Sequence, residues 1–179
     1  MASLTRVLPR LSQRTAIITV TAVLAVVGAG LTTWVQDLWA QDQSVAIAKD
    51  AIFARKILMD SIGTNMDELE GMTSSDKGVN LTEGREHADN VSIMLMAFPH
   101  LFPPNTNQWK PNVERDPGRD TYAAPALWEN YPDFYAQAAR ASKIAYNASR
   151  SQHDSDFKKF VAELRVACDS CHAVYLKVD

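Results

Sequence analysis

The chain is poor in the residues that build stapled or loop-rich folds. Its 179 residues include only two cysteines, both inside one five-residue segment, so no disulfide framework is available. Glycine and proline are scarce, at seven and eight. Six of the prolines crowd between Pro99 and Pro125, which favours long helices joined by one irregular region. Repeats and low-complexity segments are absent. Acidic residues are missing from residues 1–36, which carry Arg6, Arg10 and Arg14, whereas the remainder holds 15 Lys and Arg against 21 Asp and Glu. So acidic a remainder argues against a nucleic-acid partner and suits either a basic protein surface or simple solubility.

Charge is also absent from Thr15 to Gln36, with Ala16–Val27 as the apolar centre. A run of about 20 apolar residues is long enough to span a bilayer. Arginines before it and Asp37 and Asp42 after it place the N-terminus in the cytoplasm and the bulk of the chain in the periplasm. Trp34 and Trp39 would then sit at the outer interface. The competing reading is a secretory signal cut after Ala40. Against it, signal cores span only about 7–15 residues, and Leu38 stands where a small residue is preferred. The expected organisation is an anchor or signal at 1–36, a linker at 37–42 and a helical domain at 43–179.

Within that domain the apolar spacing predicts four helices. The first runs over Gln43–Met72, with Val45, Ala48, Ile52, Met59, Ile62, Met66 and Leu69 inward, Arg55 on the same stripe and Gly71 as its stop. The second covers Leu81–Phe98, with Ala88, Val91, Leu95 and Phe98 buried, and Pro99 ends it. An irregular connection to Ala126 follows, unusually long for a compact domain, either a packed crossover or a docking loop. The third helix, Tyr131–Arg150, turns Phe134, Ala138, Ala141, Ala145 and Ala148 inward; such small side chains admit a close helix or a bulky prosthetic group. The fourth, Ser155–Lys177, has the seam Phe157, Phe160, Leu164, Cys168, Cys171 and Tyr175. The predicted fold is all-α, an antiparallel four-helix bundle preceded by a transmembrane helix or signal segment.

The chemistry concentrates in Cys168-Asp169-Ser170-Cys171-His172. Two thiols two residues apart can add to the vinyl groups of one haem, and the adjacent imidazole can ligate its iron. A thioredoxin-like pair would need a strand-helix context, and a structural zinc site usually needs four ligands. His87, His100 and His153 show no ligand spacing and are read as surface or loop residues.

The position of this motif at the C-terminus, with Arg55-Lys56-Ile57-Leu58-Met59 ahead of Gly63-Thr64-Asn65-Met66, Leu101-Phe102-Pro103-Pro104 and Ala126-Leu127-Trp128, resembles the class II cytochromes c over about residues 45–178. These comprise high-spin cytochromes c-prime and low-spin, Met-ligated relatives, and the chain looks closer to the latter. The resemblance implies one covalent haem c, with Cys168, Cys171 and His172 holding it. It places Met59 at the distal position, as a second iron ligand or as a side chain packed over an open face, and Arg55 near a propionate or covering the bundle end. Leu176 stands where the family often has arginine. The implied role is a single-electron carrier, not an enzyme, serving a respiratory or photosynthetic membrane complex. A five-coordinate protein binding nitric oxide or carbon monoxide is the alternative, and relatives often dimerise through the first two helices.

About eight residues separate Val35 from Gln43, so an extended linker reaches only about 25–30 Å. An uncleaved anchor would therefore keep the haem domain at the inner membrane, where a tether raises effective concentration toward a membrane-bound partner. The expected outcome is a mature protein that keeps its N-terminal sequence and stays with membranes after a high-salt wash, checked by intact mass spectrometry. A mature N-terminus at Gln41 would mark a cleaved, soluble periplasmic form instead.

Overall fold

A computed structural model describes residues 13–74 and 78–177, with side chains from residue 43 onward. Two compact units divide the chain, Met1–Ser44 and Val45–Asp179. Five α-helices occupy the described residues: α1 (Gln13–Ser74), α2 (Leu81–Ala97), α3 (Ala126–Glu129), α4 (Tyr131–Ser149) and α5 (Asp154–Tyr175). Two 3-10 turns, Phe98–Leu101 and Pro104–Thr106, follow α2. No strand is present among the described residues, only an isolated antiparallel bridge between Ala123 and Leu176. Among those residues no helix is long and apolar enough to cross a membrane. The side chains of the apolar run Thr15–Gln36 lie outside the described ones.

The second unit is a bundle of the Val45–Ser74 part of α1 with α2, α4 and α5. Its directions follow from pairs of contacts. Asp89 of α2 meets Ser149 near the end of α4, while the Tyr131 hydroxyl at the start of α4 donates to Pro99 O just beyond α2. Asp133 at the start of α4 accepts from Tyr175 at the end of α5. Glu70 of α1 pairs with Arg165 of α5, and Met59 packs with Cys171 against one apolar cluster. Each of these helix pairs is antiparallel. Burial of Ile62, Met66, Leu69, Ala88, Val91, Leu95, Ala141, Ala145, Ala148, Phe157, Val161 and Leu164 in a shared cluster supplies the driving force.

Several boundaries differ from the sequence expectations. Gly71 does not stop α1, which continues to Ser74; a helix tolerates one glycine at about 1 kcal/mol. There the hydroxyls of Thr73 and Ser74 donate to Glu70 O at 3.0 and 2.8 Å. Val45, expected inward, is 47% exposed. Pro99 ends α2 without ending the coil of the chain, because proline is compatible with the first positions of the 3-10 turn. His87 is a half-buried tie between helices, its Nδ1 2.9 Å from Asn65 Oδ1. The connection between α2 and α4 is a packed crossover at both ends: Thr106, Thr121 and Ala124 are buried, and Trp128 Nε1 donates to Phe102 O at 3.2 Å.

The approach of α2 to α5 depends on Gly84. A Cβ at that position would lie 2.5 Å from Phe157 Cζ, and Phe157 is fully buried. Gly84→Ala is expected to destabilise by about 1–3 kcal/mol through overpacking, although alanine alone favours a helix by about 1 kcal/mol. In a Phe157→Leu background the loss should shrink. Urea midpoints of the four proteins check this, and a Gly84→Ala midpoint at or above wild type would contradict it.

Candidate functional site

A cavity of about 440 Å³ opens between the helices, and Arg55, Met59, Cys168, Cys171 and His172 all line it. Its size falls in the range of small-molecule sites, about 300–1,000 Å³. Helix α1 contributes Arg55, Lys56, Met59, Ile62 and Met66; α2 contributes Leu95; α4 contributes Phe134, Ala138 and Ala141; and α5 contributes the cysteines, His172 and Tyr175. The small residues of α4 are what leave room, since larger side chains there would fill the space. Leu58 and Met59 pack against both apolar clusters of the bundle, Cys168 against one and Cys171 against the other. The cavity therefore lies where the two clusters meet.

Burial sets the protonation of the motif. It pushes the Cys168 thiol up and the Cys171 thiol up to about 11, the opposite of the lowered value that a reactive dithiol uses. Partial burial holds His172 below its ordinary value, with Arg165 acting in the same direction and Asp169 against it. The imidazole is thus kept in the neutral form that can ligate a metal.

Arg55 is only 4% exposed. Its Nη1 donates to Thr106 Oγ1 at 3.0 Å, and its Nη2 donates to Thr106 O at 3.4 Å and to Thr121 Oγ1. Its guanidinium carbon lies 4.5 Å from the centre of the Phe102 ring and 5.7 Å from that of Trp128. Burial lowers its pKa to about 10, so it stays charged at neutral pH. No carboxylate among the described residues pairs with it. Arg55 is legible in the sequence from its place on the inward stripe, whereas Thr106 and Thr121, two threonines without any motif, are not. Nor is the hydrogen bond at 2.6 Å from the Tyr175 hydroxyl to Asp133 Oδ2.

An apolar cavity inside a helix bundle, lined by two cysteines, a histidine and a buried cation, fits a flat, hydrophobic, dianionic macrocycle held by thioethers. Fold and site together define a helical c-type haem protein. Residues 50–176 match the family described as Cytochrome C', and the chain belongs to that family, within the class II cytochromes c. It carries one covalently attached haem c. Two relatives are each called cytochrome c-556: one from Agrobacterium tumefaciens (strain II Chrys), 27% identical over 68% of this chain and 92% of its own length, and one from Agrobacterium fabrum (strain C58 / ATCC 33970), 28% identical over 68% and 77%. Both fit the Met-ligated branch. The fold is shared with cytochrome c' from Thermochromatium tepidum, at a TM-score of 0.62 and 20% identity over 73% of this chain and 97% of that one. It is shared as well with a structure of oxidised R. palustris cytochrome c556, at 0.60 and 21% over 73% and 98%.

Tyr175 closes the cavity wall next to the motif, and its hydroxyl and the Gln137 amide both donate to Asp133 Oδ2. Those bonds hold the Asp133 carboxyl below its ordinary value. A folded-state pKa below the unfolded one stabilises above the usual carboxylate range, and that stability is lost as pH falls through the folded value. Tyr175→Phe should therefore lower the urea midpoint at neutral pH and flatten its decline on acidification below the carboxylate range. Parallel midpoints for the variant and wild type across that acid limb would contradict the assignment.

Proposed function

We propose that the protein is a class II c-type electron carrier, with the thiols of Cys168 and Cys171 holding the haem, His172 as proximal ligand and Met59 as distal ligand. Haem iron supplies one-electron redox chemistry when bound. The single observation that carries the reading is that Met59, 109 residues or more from the motif in sequence, lines the same cavity as Cys168, Cys171 and His172. A thioether ligand raises the reduction potential relative to an open site, which suits electron transfer. Arg55 is the cation for a haem propionate: a buried charge without a carboxylate is costly, and an anionic edge of the cofactor would relieve it. A carrier is the reading that the family supports.

The periplasm, where Cytochrome C' family proteins reside, is the proposed compartment for the 43–179 domain. The uncharged N-terminal run supports a tether for this domain near a membrane-bound respiratory or photosynthetic complex, with a cleaved, soluble periplasmic form as the alternative. A homodimer is proposed through the first two helices, on which Phe53, Ile57, Ile93 and Met96 are exposed apolar residues. The second reading, a five-coordinate haem protein for nitric oxide or carbon monoxide, draws on the packing of Met59 against both apolar clusters, which would hold its side chain in place without any bond to iron.

The reduced and oxidised absorption spectra separate the two. The expected wild-type protein is low-spin and inert to carbon monoxide. Met59→Ala should convert it to high-spin, open it to carbon monoxide and lower its potential. A wild-type spectrum that is already high-spin at neutral pH would reject ligation by Met59 and favour gas binding.

A further inference from the structure

We infer that Thr106 and Thr121 are positioning residues that hold the buried Arg55 guanidinium at the cavity for a carboxylate of the haem. The inference rests on the reading of Arg55 given above and goes beyond it to the crossover between α2 and α4. Arginine has five N–H donors and lysine-like mobility in its stem, so burial alone does not aim it. Here three of its contacts go to neutral oxygens of two threonines, one at each end of the crossover. Two of the five hydrogens, that on Nε and one on Nη1, take no part in these bonds. The charge is oriented without being neutralised.

The threonines are themselves fixed. Thr106 is fully buried, and its hydroxyl donates to Pro103 O at 2.7 Å, which directs its oxygen lone pairs toward Arg55. Thr121 Oγ1 accepts from Ala123 N at 3.1 Å. Beyond it, Ala124 N donates to Tyr175 O and Lys177 N donates to Tyr122 O, both at 2.8 Å. The crossover is thus stitched on one side to Arg55 of α1 and on the other to the end of α5, three to five residues past His172. The neighbouring Lys56 reinforces the first seam, with Nζ donating to Asp120 O at 2.9 Å and lying 4.9 Å from the centre of the Tyr122 ring. A stretch that by composition is only an irregular loop becomes the frame of a charged group.

The consequence is electrostatic. A cation held against a cofactor carboxylate offsets a negative charge that would otherwise favour ferric iron, so its removal lowers the reduction potential. The test is a spectroelectrochemical titration of the haem-loaded full chain. Arg55→Gln should shift the potential down. Thr121→Val, which keeps the shape and removes the hydroxyl, should shift it down by less, and Thr121→Ser should restore the wild-type value. Adding Thr121→Val to Arg55→Gln should produce no further shift. Thr106→Val and Thr106→Ser should behave as the Thr121 pair does. Should Arg55→Gln leave the potential unchanged, both the propionate reading and the positioning role fail. Should Arg55→Gln shift it while the valine variants do not, or should the valine shift persist in the Arg55→Gln background, the positioning role alone fails.

Discussion

The structure depends on keeping a space open inside a close-packed bundle. Protein interiors are as dense as organic crystals, and an unfilled void costs about 24 cal/mol per Å³ in large-to-small core substitutions. Here a cavity of about 440 Å³ opens between the helices, and its apolar walls are removed from water when a group of matching size and polarity occupies it. A covalently attached haem stays in place when the helices breathe.

That constraint explains the division of the interior. One cluster, from Ile62 to Leu164, is ordinary helix packing that reaches the site at Ile62, Met66, Leu95 and Ala141. The other is aromatic, built from Phe98, Phe102, Leu127, Phe134 and Tyr175, with Phe102 and Phe134 at 4.9 Å and Phe134 and Tyr175 at 5.4 Å between ring centres. Rigid rings with few rotamers make firm walls for a flat ligand. Polar groups that enter that region find partners: Tyr175 with Asp133, Trp128 with Phe102 O, Arg55 with the threonines. A buried polar group without one would cost more than its bond is worth.

Much of this was legible in the primary structure because helical burial is periodic. The stripes Ala88, Val91, Leu95 and Phe134, Ala138, Ala141, Ala145, Ala148 are all buried, and α2 and α4 end within a residue of where proline and the lost periodicity place them. The Cys-x-x-Cys-His pentapeptide is a local signal, since both thiols and the imidazole lie within about one turn of one helix. Met59 and Arg55 could be placed on an inward stripe for the same reason. Val45 departs from its stripe because periodicity names a face of a helix and not whether anything covers it.

Other features belong to tertiary structure alone. The bonds from Arg55 reach residues 51 and 66 positions away, and the bond from Tyr175 reaches 42 positions back. Threonine in a proline-rich stretch carries no signal that it will be buried against an arginine. Even the need for Gly84 follows only from the approach of Phe157 on another helix. Sequence by itself determined the helices, their buried faces and the chemistry of the haem motif, because each is written in residues within a few turns of one another. Which polar groups meet, and so how the charge beside the cofactor is aimed, was decided by packing between distant segments, where no local pattern records the partner.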